Sequence, residues 1–229
     1  MSTVWESQPN IEAPAGARTR VRVWDGFTRL THWLLVVLMS VSWWTARHHH
    51  MDYHRYSGYG LLGVLIFRLY WGVFGSTTAR FAHFVKGPRS IWLYLRSKAE
   101  HMAPGHNPLG ALSVLALIGL LLAQVTLGLF SVDVDGIESG PLSHWVSFEV
   151  GRECSRLHQL GFVVLKAFIV VHIAAVVFYW IFKRDNLLWS MITGLKDWRH
   201  GTLPHIEFAS AWRALFGIAL AAVFVWYVA

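Results

Sequence analysis

Cysteine is nearly missing from this chain, with Cys154 the single example in 229 residues. No intrachain disulfide can form, and iron–sulfur clusters or thioether-linked cofactors, which need several thiolates, are excluded. Charge is also scarce. Asp, Glu, Lys and Arg make up 14% of the residues and hydrophobic residues 55%, against roughly 25% and 45–50% in typical globular proteins. The sequence lacks a glycine-rich phosphate loop, a nucleophile elbow and a zinc-protease motif. The polar stretch through Arg29 has no apolar core and no small-residue cleavage site. It is therefore not expected to be a removable signal peptide; the hydrophobic run that follows acts as an uncleaved anchor, and only the opening residues are expected to be disordered.

What the chain has instead is greasy length. Five apolar runs, near 30–46, 56–75, 109–131, 157–182 and 209–229, approach or exceed the ~20 residues of helix that cross a hydrocarbon core. The first is short but is bounded by Trp33 and by Trp43–Trp44, as interfacial anchors require. A soluble protein with buried helices would not carry this many runs with so few charges inside them. The expected class is therefore all-α and integral to the membrane.

The net charge of +7 raises the question of nucleic acid, and its distribution answers it. Arg18, Arg20, Arg22 and Arg29 precede the first run. Arg80, Lys86, Arg89, Arg96 and Lys98 separate the second from the third, and Lys183, Arg184, Lys196, Arg199 and Arg213 follow the fourth. The loop between the third and fourth runs is acidic, with Asp133, Asp135, Glu138, Glu149 and Glu153. The positive-inside rule then places the N-terminus in the cytoplasm and the C-terminus outside. The basic charge is a topology signal, and no nucleic-acid partner is expected.

Histidine is abundant, with 13 in all, and a few of them fall at membrane depth, where a polar side chain is costly and marks a functional site. His32 lies near the cytoplasmic start of the first run, His54 near the outer start of the second and His158 near the outer start of the fourth. His172 lies 14 residues beyond His158, about four helical turns and about 21 Å along one face. One member of that pair therefore sits near each side of the membrane. His54 comes to the level of His158, and His32 to the level of His172. Two levels with two histidines each suggest two bis-histidine b-type haems stacked between helices, a common way for four-helix bundles to hold cofactors. Taken alone, any of these histidines would be read as an interhelical hydrogen-bonding group; the paired levels argue against that.

Other polar residues stay open on the sequence. Arg68, 14 residues after His54, reaches the inner level, where it can pair with haem propionates or snorkel to headgroups. Gly58, Gly63 and Gly119 can admit a flat macrocycle or serve close helix packing. Lys166 faces either a partner subunit or a buried anion. The run from His48 to His50 is either a metal-binding loop or a solvated one. Trp92 and Leu93 with neighbouring basic residues form a short amphipathic stretch expected on the inner surface.

Several ordered motifs resemble the family of prokaryotic cytochrome b561 and Ni,Fe-hydrogenase cytochrome b subunits. They are Val-Trp-Asp-Gly-Phe-Thr-Arg-Leu-Thr-His-Trp at 23–33, His54-x-x-x-Gly58-Tyr59, and Phe67-Arg68-x-x-Trp71-Gly72-x-x-Gly75-Ser76 with Arg80-Phe81. Gly105-His106-Asn107-Pro108-Leu109-Gly110-Ala111 and His158 with His172-Ile173 complete the set. The resemblance covers roughly residues 21–197 and implies a four-helix haem-binding bundle in 21–200, with 201–229 an additional C-terminal transmembrane helix after a disordered 1–20. It also implies non-covalent haem b held by His32 with His172 and by His54 with His158, with Arg68 and Gly58 lining the cofactor sites. His106 fits the motif without being an expected ligand.

The function implied is electron transfer across the bacterial inner membrane, between a quinone pool and a redox partner: a c-type cytochrome, a hydrogenase or another dehydrogenase. With both axial positions filled, no site is left on the iron for oxygen chemistry, and the acidic outer loop offers a docking surface. Two alternatives stand beside this reading. One is a superoxide- or small-reductant:quinone oxidoreductase of the cytochrome b561 type, with Arg47 and Arg55 attracting the anion. The other is a membrane metal transporter or structural anchor that uses the same histidines.

Overall fold

A computed structural model describes residues 19–96, 104–135, 138–198 and 205–229. The expected disordered opening stretch lies outside the described residues, apart from its last few positions. In chain order the elements are β1 (Thr19–Arg22), α1 (Gly26–Arg47), α2 (Met51–Phe74), α3 (Phe81–Phe84), α4 (Pro88–Arg96) and α5 (Pro108–Leu129). A 3-10 turn at Ser143–Trp145 leads to α6 (Phe148–Phe182), α7 (Leu187–Thr193), β2 (Leu195–Trp198) and α8 (Ala211–Val228).

Local chemistry sets where the long helices begin. Asp25 caps α1 by accepting from the backbone N–H of Thr28 at 2.7 Å and from its hydroxyl at 2.8 Å. Asn107 caps α5 by accepting from Gly110 N–H at 2.7 Å, with Pro108 in the first turn, where its missing N–H costs nothing. Ser147 caps α6, which therefore starts nine residues before the apolar run at 157. At 35 residues it is about 52 Å long, so its first turns stand clear of a hydrocarbon core of about 30 Å.

Four helices, α2, α5, α6 and α8, are long and apolar enough to cross a membrane. α1 has 22 residues and equal reach, but His32, Trp33, Trp43, Trp44 and Arg47 dilute its apolar character. α1 packs along α2, α5 along α6, and α8 on the outside of α2. The bundle core is Leu61, Leu62 and Leu65 of α2 with Leu121 and Val125 of α5, Leu165 of α6 and Val228 of α8. Small residues bring α8 in: Ala214 is fully buried, and Gly217 lies so near Tyr70 that no Cβ would fit.

One end of the bundle is closed by structure that periodicity did not reveal. β1 pairs antiparallel with β2, Thr19 opposite Trp198 and Arg22 opposite Leu195. Gly194 ends α7 in the left-handed conformation (φ 83°) that favours glycine, and its carbonyl accepts from Val23 N–H at 2.8 Å. Thr78 donates its hydroxyl to Val23 O at 2.6 Å. Trp71, fully buried, donates its indole N–H to Asp25 at 3.3 Å. The segment around 23–25 is thus tied to α2 and to the chain beyond α6. The amphipathic stretch forms α4, where the Arg96 guanidinium lies 3.8 Å over the Trp92 ring.

Candidate functional site

Two histidines from different helices face each other near the Ser147 end of α6. The rings of His54 and His158 have centroids 6.1 Å apart and planes at 88°. Two metal–imidazole bonds of about 2 Å each, plus about 1 Å from each ring nitrogen to its ring centroid, come to about 6 Å. The spacing accommodates two imidazoles sharing one metal ion, and in the structure the rings meet edge to face.

The hydrogen bonds behind these rings select the tautomer. His158 Nδ1 lies 2.8 Å from the carbonyl oxygen of Gln124, and His54 Nδ1 lies 2.9 Å from the carbonyl oxygen of Ser42. A carbonyl only accepts, so each Nδ1 carries the proton and each Nε2 is left with a free lone pair, the state a metal ligand needs. Gln124 holds His158 a second way, its side-chain N–H donating to His158 O at 2.9 Å. Gly128 completes the seat: a Cβ there would meet His158 Cε1 at 3.0 Å, so any side chain would push the ring back from α5 by a few tenths of an ångström. At Gly58, one turn after His54, a Cβ would meet nothing within 4 Å. Gly58 therefore borders open space at this level.

The second pair is less tightly organised. His32 and His172 form no ring contact like that of His54 and His158. His172 Nδ1 lies 3.3 Å from the hydroxyl of Ser113, a group that can donate or accept. His32 Nδ1 is buried without a partner. Arg68 is on this side and 6% exposed. Its guanidinium lies 5.0 Å over the Phe81 ring and donates to Ala79 O at 3.3 Å. It points into the fold, and snorkelling to the headgroups does not describe it. The residues fit a haem at both levels, most fully at the level of His54 and His158.

His106 is the residue at this level whose depth spacing could not reveal. Its ring packs between Trp24 (4.8 Å) and Phe84 (4.7 Å). Burial, then the proximity of Arg68, His172 and His32, push its pKa down to about 3. Beside it a cleft of about 500 Å³ is lined by Thr78, His83, Lys86, Tyr94, His106 and Asn107. Asn107 donates to the Tyr179 hydroxyl at 2.7 Å, which shares a hydrogen bond of 2.9 Å with Tyr94. Burial and that bond hold the Tyr94 hydroxyl well above its usual range. Ser42, Gln124, Gly128 and Ser113 were also missed, because nothing in their own sequence neighbourhoods distinguishes them from helix-packing residues.

At the other end, the loop histidines gather no metal site. His48 and His50 stack on Trp44 at 4.5 and 5.7 Å. Among the described residues no group of three or more His, Cys, Asp or Glu side chains is placed to hold an ion. Arg55 is paired with Asp52 at 2.6 Å in an exposed ion pair, which offsets part of its charge.

The sequence is similar to three proteins called probable Ni/Fe-hydrogenase B-type cytochrome subunits. Those of Azotobacter chroococcum mcd 1 and Azotobacter vinelandii are each 27% identical over 220 residues, spanning 80% of this chain and 89% of theirs. That of Bradyrhizobium diazoefficiens is 25% identical over 221 residues, spanning 81% and 89%. No solved structure matches. The family model of prokaryotic cytochrome b561 matches residues 23–194, which takes in all four membrane-depth histidines and the helices that carry them. This chain belongs to the prokaryotic cytochrome b561 family, and is a membrane-embedded b-type cytochrome.

Proposed function

We propose that the chain holds two haems b, one between His54 and His158 and the other between His32 and His172, and conducts electrons between a quinone and a redox partner. The observation that carries the reading is the 6.1 Å approach of His54 and His158, with both Nδ1 atoms bound to carbonyls. Bound haem supplies a one-electron carrier whose potential follows its axial ligands, their hydrogen bonds and its burial. The chain's own residues do the rest. Ser42 and Gln124 fix the tautomers and ring angles of His54 and His158, and Gly128 admits the ring of His158. Arg68 supplies a buried positive charge for propionates at the other level. The step of about 21 Å along α6 spreads the two sites across the bilayer.

The names of the relatives point to a Ni/Fe-hydrogenase as the partner of this chain. The acidic loop after α5 and the exposed start of α6 give a surface for it on the His158 side, with the N-terminus cytoplasmic and the C-terminus periplasmic in the bacterial inner membrane. A quinone is assigned to the opposite level. Supporting this, the cleft beside Tyr94, His106 and Asn107 offers both apolar wall and hydrogen-bonding groups. The test is reduction of the purified protein in liposomes by a short-chain quinol, followed by its haem absorbance. Reduction that is fast in the wild type and at least tenfold slower in Asn107→Leu supports the assignment. No reduction by any quinol overturns it.

A further inference from the structure

Lys166 is a cation placed where a membrane gives it no partner. It lies on α6 between Arg156 and Lys183, the charges that flank the apolar part of that helix, which are 27 residues apart or about 40 Å. Their midpoint falls between Ile169 and Val170, so Lys166 is about 5 Å from the centre of the bilayer and about 10 Å inside a hydrocarbon core about 30 Å thick. A lysine stem of about 6 Å stops short of the boundary, so snorkelling does not relieve the charge. The side chain is exposed on the outside of the bundle. Among the described residues its ammonium has no hydrogen-bond or ion-pair partner and lies 5.0 Å over the Phe162 ring of its own helix.

The face around it is narrow. Gln159, Val163, Lys166, Val170, Ile173 and Val177 follow one another at alternating steps of four and three residues, the spacing of a helix–helix seam. Val163, Val170 and Ile173 are each more than half exposed. The bulkier Phe168, Phe178 and Phe182 stand on another side of the helix. An apolar face toward lipid needs no explanation; a mid-membrane cation on it does, because a charge at that depth is held by a partner group. A lysine at one position of such a seam also sets register at some cost in stability.

A second copy of the chain cannot supply the carboxylate, since none of its 13 Asp and Glu residues falls within an apolar run. We infer that the Lys166 face of α6 receives a membrane-spanning helix of a different chain, one that carries a carboxylate at the depth of Lys166. This goes beyond electron transfer and is independent of which residues ligate haem.

The test uses the full chain, reconstituted in phosphatidylcholine vesicles and labelled for energy transfer to synthetic transmembrane helices of Leu and Ala. These probes carry Glu, Leu or Lys at their centre. The wild type is expected to bind the Glu-centred helix about tenfold better than the Leu-centred one, the scale of one interhelical charge-assisted contact. Lys166→Leu should abolish that preference, and Lys166→Glu should transfer it to the Lys-centred helix. Haem content and thermal stability of Lys166→Leu should equal the wild type. Equal binding of all three helices by the wild type overturns the inference. So does loss of haem or of self-association in Lys166→Leu, which would assign the lysine to the cofactor or to a contact between copies.

Discussion

Gly128 lies beneath the ring of His158 so closely that a Cβ on it would come within 3.0 Å of Cε1. The glycine is the next-to-last residue of α5, and the close approach of the ring is a packing reason for it. Gly128→Ala should shift the midpoint potential of one haem by tens of millivolts, and Gly128→Leu should remove that haem while leaving the other in place. Haem-to-protein ratios of the two variants check this. Full loading of Gly128→Leu would show that the ring of His158 is free to move without consequence.

The two levels differ in how their histidines are held, and this predicts a split in potential. His54 and His158 each donate Nδ1–H to a carbonyl, which makes the imidazole a stronger donor and favours ferric iron. His32 Nδ1 has no partner, and Arg68, which favours the reduced and less positive iron, is at that level. The haem at His54 and His158 should therefore have the lower midpoint potential, by about 60 mV or more, the equivalent of a tenfold equilibrium shift for one electron. A redox titration of wild type and His158→Ala checks the assignment. Loss of the higher-potential component in that variant would contradict it.

Removing one hydrogen bond behind a ligand should tune its haem without destroying the site. Gln124→Leu takes away the side-chain donor to His158 O but leaves the backbone carbonyl that accepts from Nδ1. The cost to stability is about 1 kcal/mol, seen as a drop of a few degrees in Tm. Haem content should stay at the wild-type value, with a small change in the low-spin electron paramagnetic resonance signal. A loss of haem as large as that of His158→Ala would mean that the amide does more than hold the helix in place.

His106 gives the protein a pH dependence whose sign follows from its burial. The neutral ring, with a pKa pushed down to about 3 in the fold, returns to about 6.5 in the unfolded chain. Between these values the unfolded state binds the extra proton. Stability therefore falls as pH falls below about 6.5, by up to about 1.4 kcal/mol per pH unit from this group. His106→Phe, which keeps the aromatic packing between Trp24 and Phe84, should flatten the Tm-against-pH curve between pH 6 and 4. An unchanged slope would show that His106 titrates normally.

The bundle was legible because so many long apolar runs point to a membrane, and counting turns brought His54 and His158 to one level. The depths of His54 and His158 followed from counting turns, but that they meet at 6.1 Å depends on how α2 and α6 are rotated, which periodicity alone does not fix. The β1–β2 pair was not legible, since each strand is four residues long and its partner is remote in sequence. The start of α6 was also missed. Its first nine residues include Glu149, Arg152, Glu153 and Arg156, and an apolar count begins only where the helix enters lipid. Gln124 and Ser42 were hidden for a simpler reason: the contacts that set the Nδ1 protons are made by backbone carbonyls, which every residue has.

Haem quantification with reduced-minus-oxidised spectroscopy on the purified protein, the His158→Ala variant and the His172→Ala variant tests the central proposal most directly. The account predicts two low-spin haems b per chain in the wild type and one in each variant, the two variants retaining haems of different potential. One haem in the wild type, or a wild-type complement in His158→Ala, would contradict it.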